Sequence, residues 1–263
     1  MRRRSLTYYG PSYFRLARTF RNAWAISYAH YHRRDCDHAT FWNGRRLCSP
    51  AGRGGLVDTV VEIWGLETYL GGSFYEPAST HVVLDVGANI GLFSIWLSLR
   101  AKGIRLLAFE PFPENVEALR ANVQGFPNVH IYDVAIGRER GTAQMIPVGA
   151  RSLDHHLDSS TPGKTQVITL TDAVELAGPT VDLLKMDIEG SEYDVFEIQP
   201  EAALMRRIRN IAIEWHEHVR PGVLSLLKSR LAPTHEIRFV NDDDPRYGMI
   251  FASLRQPSTE TTA

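Results

Sequence analysis

The segment DLLKMDIEGSEYD, residues 182–194, changes abruptly from an apolar run to a cluster of charged side chains. Its first half is typical of a buried strand, yet it contains Lys185 and Asp187 and is followed by Glu189. A buried charge is costly unless it is partnered, and residues two apart share one face of a strand. Lys185 and Asp187 can therefore satisfy one another, fasten the strand end to a loop, or contact a ligand. Because ligands bind at the carboxyl ends of parallel strands, we expect Asp187 and Glu189 at an active site.

A second group of ionisable residues ends the segment IRNIAIEWHE. His216 titrates in the range that suits a general base, and Glu214 is an alternative base in the same segment. A histidine at a strand end can equally be a hydrogen-bonded rim residue. His155 and His156 lie in a polar segment from which they could reach a substrate. The predicted catalytic residues are Asp187, Glu189 and His216.

The turn DVGANIG separates a β-branched run from a helical pattern. Gly87 and Gly91 lack side chains, so backbone amides can approach a ligand at the start of the helix. Dinucleotide enzymes use this position with the spacing G-x-G-x-x-G, but Asn89 replaces the second glycine and Phe93 falls near the third. The turn therefore indicates a ligand site without a closely bound pyrophosphate.

Carboxylates end the next two apolar runs. Glu110 stands where an adjacent-strand carboxylate commonly accepts both hydroxyl protons of a ribose. Asp133 could accept a hydrogen bond from an adenine amino group. Each could instead be a solvated strand end, but together with the glycine turn they favour a bound adenosine nucleoside.

Apolar runs alternate with helical patterns from His81 onward, which predicts a parallel α/β sheet. Pro113 and Glu114 mark the start of one helix. NVHIYDVAIG reads as a third strand, and QVITLTDAVELAG as an extended piece followed by a short helix. HEIRFV and YGMIFASL predict an antiparallel pair joined by the turn NDDDPR, in which Asp242 to Asp244 are expected to be solvated.

Five motifs together resemble the FkbM-type S-adenosylmethionine-dependent methyltransferases. They are VVLDVGANIGLFS, AFEPFPENVEALRANV, DVAIG, LLKMDIEGSE and IAIEWHE, in this order, and the match runs from about Leu56 to about Glu217. The resemblance implies a class I methyltransferase fold, a Rossmann-like, mostly parallel seven-stranded α/β sheet with a terminal antiparallel hairpin. It further implies O-methylation of a hydroxyl on a saccharide, glycolipid or natural-product scaffold, with S-adenosyl-L-methionine as the cofactor.

The same resemblance assigns the cofactor contacts. Asp85, Gly87, Asn89 and Gly91 would surround the methionine moiety. Glu110 would bind the ribose, and the adenine would contact Asp133 and Val134.

Composition excludes several other classes of protein. The 263 residues are 44% hydrophobic and 22% charged, with a net charge of -1, so no global field attracts nucleic acid. Two cysteines, Cys36 and Cys48, do not make a secreted disulfide scaffold, and we expect reduced thiols and a cytoplasmic location. No dense ligand spacing indicates a metal site. The oligomeric state stays open.

The N-terminal segment has a different character, and we predict three parts: an extension (1–55), a methyltransferase domain (56–255) and a disordered tail (256–263). Eight arginines precede the first acidic residue, Asp35, and alternate with aromatic residues. The extension is expected to be helical. It either packs on the domain or forms a peripheral contact with an anionic membrane.

Two other functions remain open at this point. An NAD-dependent oxidoreductase could use the glycine turn, although Asn89 argues against it. A non-catalytic S-adenosylmethionine-binding scaffold would retain the cofactor residues without transferring a methyl group.

Overall fold

The computed structural model describes residues 6–50, 55–71, 74–147, 155–158 and 163–256. In chain order the strands are β1 (His38–Thr40), β2 (Arg46–Cys48), β3 (Val82–Val86), β4 (Arg105–Phe109), β5 (Val129–Tyr132), β6 (Ala135–Gly137), β7 (Gly141–Pro147), β8 (His155–Asp158), β9 (Thr165–Thr169), β10 (Val181–Met186), β11 (Ile208–His216), β12 (His235–Asp244) and β13 (Tyr247–Leu254). The α-helices are α1 (Leu6–Thr19), α2 (Ala23–Tyr31), α3 (Leu56–Val60), α4 (Leu92–Ser98), α5 (Pro113–Asn122), α6 (Leu170–Ala177), α7 (Glu192–Glu197), α8 (Ala202–Met205) and α9 (Val223–Leu231). A π-helical segment, Val61–Leu66, continues α3, and Thr68–Leu70 and Pro77–Ser79 form short 3₁₀ turns.

A seven-stranded sheet lies at the centre, in the order β12-β13-β11-β10-β3-β4-β5. β10 pairs in parallel with β3 and β11, and β4 lies parallel between β3 and β5. β13 is antiparallel to both β11 and β12. The predicted class I methyltransferase fold, with its terminal antiparallel hairpin, is confirmed.

Helices cover both faces of this sheet, which is why its central strands are continuous apolar runs. On one face, α4, α5 and the N-terminal helices pack around Leu183 of β10. On the other, α6, α7 and α9 pack around Leu184. Lys185 follows Leu184 and so shares the face of Leu183, as does Asp187 after it. The charged residues at the end of β10 therefore lie beneath the N-terminal helices.

The segment NVHIYDVAIG forms two strands, so the prediction of one strand was wrong. β5 belongs to the main sheet, whereas β6 belongs to a four-stranded sheet in the order β6-β9-β7-β8. The chain leaves the main sheet at Asp133 because Ala135 pairs with Val167 of β9. β9 and α6 match the predicted extended piece and short helix, and the Thr169 and Asp172 side chains form a capping box at the start of α6.

The hairpin turn is shorter than predicted. β12 continues to Asp244, which pairs with Tyr247, so the turn consists of Pro245 and Arg246. The prediction that Asp242 to Asp244 form a solvated turn was wrong, because these residues extend the strand beyond a register shift at Asn241. The Asp244 carboxylate accepts a hydrogen bond of 2.7 Å from Arg246 Nη2, which closes the turn.

The N-terminal segment forms two helices, α1 and α2, and packs on the sheet. Leu16, Phe20 and Ile26 are fully buried in the same apolar cluster as Leu183. Phe20 also forms a β-bridge with Phe41, which holds the reversal between the helices. None of the described helices is long and apolar enough to cross a membrane. The domain limits remain predictions, and residues 257–263 of the predicted tail lie outside the described residues.

Candidate functional site

A cleft opens at the carboxyl ends of β3, β4 and β10. It contains about 610 Å³ of empty space, part of it open solvent. The predicted site residues that line it are Gly87, Asn89, Glu110, Val134, Asp187 and Glu189. The other predicted residues, Asp85, Gly91, Asp133 and His216, lie outside the lining.

The glycine turn is folded tightly against β4 and β10. Gly87 has φ 77°, and a Cβ there would lie 1.7 Å from the carbonyl oxygen of Asp187, so only glycine fits. Gly91, at φ 83°, starts α4, and a Cβ there would lie 2.4 Å from Leu119 Cδ1. Asn89 has φ 51°, a left-handed conformation that asparagine tolerates better than most residues. Asn89 Oδ1 is buried and has no hydrogen-bond donor among the described residues, so it can accept from a ligand.

Glu110 is organised by the backbone around it. Its carboxylate accepts from the Asn89 amide (2.8 Å) and the Phe112 amide (3.0 Å). Burial raises its pKa to about 7, although these hydrogen bonds act in the opposite direction. A carboxylate has about four acceptor positions, and Asn115 Nδ2 uses a third at 3.5 Å, so a position remains for a ribose hydroxyl.

The third-strand residues divide between the cleft and the surface. Val134 lines the cleft, whereas Asp133 is exposed and forms an ion pair with Arg120 of α5. Its adenine contact stays a prediction. Met145 of β7 also lines the cleft, so the small sheet forms one of its walls. The sequence prediction, which placed a single strand in NVHIYDVAIG, did not include this wall.

Lys185 fastens β10 to the glycine turn. Its ammonium donates to the Gly87 carbonyl (2.7 Å) and lies 3.3 Å from Asp85 Oδ1 but 3.9 Å from Asp187 Oδ2. Burial opposes its charge, but Asp85 and then Asp187 outweigh burial and raise its pKa. Ser94 Oγ donates to the buried Asp85 at 2.6 Å. Lys185 and Asp85 therefore support the glycine turn from beneath, whereas Asp187 lines the cleft.

Asp187 lies where the cleft meets the N-terminal segment. The Tyr69 hydroxyl donates to Asp187 Oδ2 at 3.1 Å, and Asp187 Oδ1 is buried without a hydrogen-bond donor among the described residues. The side chain of Asp187 is 24% exposed. It is thus held through Oδ2, while Oδ1 is buried 4.0 Å from His216 Nε2.

His216 is held by Glu192 at the end of β11. Its Nδ1 lies 3.1 Å from Glu192 Oε1, and its Nε2 lies 3.4 Å from Glu189 Oε2 and 4.0 Å from Asp187 Oδ1. Glu192 is fully buried and also accepts from the Ile188 and Gly190 amides, both at 2.9 Å. Burial lowers the pKa of His216, but Glu192 and then Glu189 outweigh burial and raise it well above the usual value. His216 is therefore a cation near neutral pH.

Two more carboxyl groups complete an acidic cluster, which we define as Glu62, Asp187, Glu189 and Glu214. Burial and the charge of Asp187 raise the pKa of Glu62 to about 7. Burial, Asp187 and Glu62 together raise the pKa of Glu214 well above its usual value. Glu62 and Glu214 therefore bind protons more readily than ordinary carboxyl groups.

Asp187, Glu192 and His216 each place a possible ligand atom within 4.8 Å of the others. Both oxygens of Glu192, however, already accept backbone hydrogen bonds, and one of them also faces His216. These contacts indicate that the three side chains are held together by hydrogen bonds to Glu192, an arrangement that we call the Glu192 brace.

The sequence interpretation missed Glu62, Tyr69 and Glu192. Glu192 belongs to the motif KMDIEGSE, and its two-residue distance from Gly190 is compatible with a turn-bracing carboxylate. Glu62 and Tyr69 carry no local signal, since they lie more than 110 residues before Asp187. His155 and His156 lie in β8, and their side chains lie outside the described residues.

Comparison with known protein families matches residues 85–232, more than half of the chain, to the methyltransferase FkbM domain. The 31-O-demethyl-FK506 methyltransferase FkbM of Streptomyces tacrolimicus is 29% identical over 203 residues, which is 63% of this chain and 76% of that protein. Methyltransferase sdnD of Sordaria araneosa is 25% identical over 191 residues, 58% of this chain and 73% of that protein. A third relative, the AMB antimetabolite synthetase AmbE of Pseudomonas aeruginosa, is 27% identical over 179 residues. That match covers 52% of this chain but only 8% of the length of AmbE.

Solved structures show a more distant similarity. Fibrillarin of Aeropyrum pernix, in complex with natively bound S-adenosyl-L-methionine, has a TM-score of 0.45 at 13% identity, covering 82% of this chain and 92% of that one. An O-methyltransferase described as putative, from Klebsiella pneumoniae, has a TM-score of 0.45 at 14% identity, covering 79% and 84%.

Proposed function

Because the chain belongs to the FkbM family of S-adenosylmethionine-dependent methyltransferases, we propose that it methylates a hydroxyl oxygen of a small acceptor. The acceptor class that we propose is a saccharide, a glycolipid or a natural-product scaffold. The main support for the proposal is the position of Asp187, which lines the cleft and also belongs to the acidic cluster.

Two observations support binding of the cofactor in the cleft. Asn89 Oδ1 is a buried acceptor without a donor among the described residues, and Glu110 retains an acceptor position for a ribose hydroxyl. When bound, S-adenosylmethionine supplies an electrophilic methyl group on a positively charged sulfur. We propose that Gly87, Asn89 and Glu110 hold the cofactor, with Val134 against the adenine. Asp85, Gly91 and Asp133 complete the proposed cofactor set, the first two by supporting the glycine turn.

We propose Asp187 as the base that removes the hydroxyl proton. Methyl transfer would form an O–CH₃ bond as the S–CH₃ bond of the cofactor breaks, giving S-adenosylhomocysteine, and Asp187 would take the hydroxyl proton. Positioning supplies part of the rate, and a base contributes typically a further 10²–10⁴-fold. Tyr69 holds one oxygen of this carboxylate, and the other has no hydrogen-bond donor among the described residues.

Glu189 and His216 are proposed to act beside Asp187. His216 is charged near neutral pH, so it donates to Glu189 and orients that carboxylate toward the acceptor. We propose that the reaction needs no metal ion, which is supported by the Glu192 brace: its oxygens are occupied by N–H donors.

Two features support a small acceptor and not a nucleic acid. The acidic cluster would repel phosphate groups, and the net charge of the chain is -1. The name of the Streptomyces tacrolimicus relative describes methyl transfer to an oxygen of FK506, a small molecule. Cys36 and Cys48 are free thiols, in agreement with the proposed cytoplasmic location.

The first test is calorimetric titration with S-adenosylhomocysteine and, in parallel, with NAD. We expect binding of S-adenosylhomocysteine alone, and binding of NAD alone would replace the proposal by hydride transfer. The second test incubates the protein with S-adenosylmethionine carrying a labelled methyl group and a panel of sugars, lipid-linked glycans and macrolides. Labelled product with an O-methyl fragment by mass spectrometry is the expected result. Cofactor binding without transfer to any of these hydroxyl acceptors would favour a non-catalytic scaffold.

A further inference from the structure

Four large aromatic side chains are exposed on the N-terminal helices and the hairpin after them. The exposed fractions are 66% for Phe14, 76% for Trp24, 50% for Tyr28 and 62% for Trp42. Single exposed apolar residues are ordinary, but several on adjoining elements mark an interaction surface. We call these four side chains the aromatic patch.

The patch spans two helix faces that meet at a short link. Phe14 and Ala17 are three residues apart and share one face of α1, and Trp42 Nε1 donates to the Ala17 carbonyl at 3.0 Å. Trp24 and Tyr28 are four residues apart on α2, on the side away from the buried Ile26. Only residues 20–22 separate the two helices, and the Phe20–Phe41 β-bridge joins this link to the hairpin that carries Trp42.

The charge around this surface is positive. Arg18 on α1 and Arg21 in the link are exposed, and no acidic residue occurs in the first 34 positions. Residues 1–5 of the sequence contain three further arginines and no acidic residue. Arg15 is engaged elsewhere, since it donates to the Gly65 carbonyl at 2.9 Å.

Trp and Tyr side chains concentrate at the interface between lipid headgroups and hydrocarbon, and arginines are attracted to anionic lipids. We propose that the aromatic patch binds the surface of a bilayer that carries anionic lipids. Trp24 and Trp42 enter the headgroup region, while Arg18 and Arg21 contact lipid phosphates. The surface belongs to the helices on the sheet face opposite α6, α7 and α9, and the proposal does not depend on the acceptor.

The test uses the complete chain with vesicles of phosphatidylcholine alone or mixed with phosphatidylglycerol. Co-sedimentation is expected with the anionic vesicles and is expected to weaken as salt increases. Replacing Arg18 and Arg21 by Gln should weaken partitioning about fivefold for each arginine. Tryptophan fluorescence provides a second readout. Trp64, Trp96 and Trp215 are buried, so brominated lipids should quench only the emission of Trp24 and Trp42.

The patch variant W24S/Y28S should lose most of the vesicle binding and most of the quenching. Its matched control is L176S/I198S, which removes two exposed apolar side chains from the opposite face, at 43% and 57% exposure. The control should bind vesicles like the original protein. Because all four side chains are exposed, thermal unfolding of both variants should remain unchanged.

Two results would overturn the proposal: the absence of binding to anionic vesicles at low salt, and equal binding by the original protein and W24S/Y28S. Concentration-dependent self-association that W24S/Y28S abolishes, without vesicle binding, would assign the patch to a second copy of the chain. Binding of an unstructured RNA without vesicle binding would assign it to nucleic acid.

Discussion

The two halves of the candidate site are built in opposite ways. On the cofactor side, the Glu110 carboxylate accepts two backbone amides, and the glycine turn closes on the β4 backbone through the Gly87 and Ala88 amides. On the acceptor side, carboxyl groups face one another, and the Tyr69 hydroxyl, Lys185 and His216 are their polar partners. The first half is held by main chain, whereas the second is held by charge balance between side chains.

This difference affects how each half responds to change. Backbone hydrogen bonds fix a shape that tolerates little added volume, so the cofactor side should be sensitive to side-chain size. In the acidic cluster, burial and then repulsion between the charges raise the pKa values of Glu62 and Glu214, so this side should be sensitive to pH and to the removal of charge. Four substitutions, each with a control, test this contrast.

The largest effect is expected from Asp187→Asn, which removes the proposed base from the acceptor side. Turnover should fall by about 10²–10⁴-fold, because the amide cannot accept the hydroxyl proton. Affinity for S-adenosylhomocysteine should change little, since the amide oxygen can still accept from Tyr69. The measurements are single-turnover methyl transfer with the acceptor identified in the panel and calorimetry with S-adenosylhomocysteine.

Tyr69→Phe is the matched control for that experiment. It removes the hydrogen bond to Asp187 Oδ2 but keeps the carboxylate, so the loss of turnover should be smaller than for Asp187→Asn. A folded Asp187→Asn variant with full turnover would remove Asp187 from the chemistry.

Gly87→Ala should break the cofactor side by added volume. The new Cβ would lie 1.7 Å from the Asp187 carbonyl oxygen, a backbone atom, and the residue has φ 77°. We expect a loss of about 3 kcal/mol or more in the free energy of unfolding, measured by urea denaturation, together with weaker S-adenosylhomocysteine binding.

Gly103→Ala separates the two causes. Gly103 has φ 70° but no atom within 4 Å of an added Cβ, so only conformational strain remains, about 1–2 kcal/mol. Equal destabilisation by both variants would show that the close approach of the glycine turn to β10 has no energetic role.

The same contrast explains what the sequence could predict. The cofactor side follows short motifs, so Gly87 and Glu110 were placed from their spacing and lie in the cleft. The acceptor side brings together residues from distant segments, and no local sequence pattern predicts the position of Glu62 or Tyr69. The seven strands of the main sheet were predictable because their apolar runs alternate with helical patterns. In the small sheet only β9 was predicted, as an extended piece, because the chain leaves the main sheet at a single residue, Asp133.

A smaller effect is expected from Glu110→Ala. Loss of the ribose contacts should weaken S-adenosylhomocysteine binding by roughly 2 kcal/mol, about thirtyfold, as measured by calorimetry. Asp133→Ala is the comparison variant, because Asp133 is exposed and paired with Arg120. Its expected loss is about 1 kcal/mol, for one adenine hydrogen bond. Unchanged affinity in Glu110→Ala would remove Glu110 from the cofactor site, and unchanged affinity in Asp133→Ala would do the same for Asp133.

The smallest effect, and the one most specific to the acidic cluster, is the pH dependence of stability in Glu62→Gln. The pKa of Glu62 is about 7 in the folded protein, against about 4.3 for an ordinary glutamate. The folded state therefore binds the proton more tightly, so the contribution of Glu62 is complete below about pH 4.3 and is lost as pH rises through 7. Glutamine resembles the protonated form, so the variant should match the original protein at pH 4.5 and have the higher Tm at pH 8. Glu175→Gln, an exposed carboxylate on α6, is the control and should follow the original curve, since a charge in water loses little on folding. If stability changed with pH in the same way in all three proteins, the charges around Asp187 would be screened by solvent. The acceptor side would then lack the electrostatic strain that distinguishes it from the cofactor side.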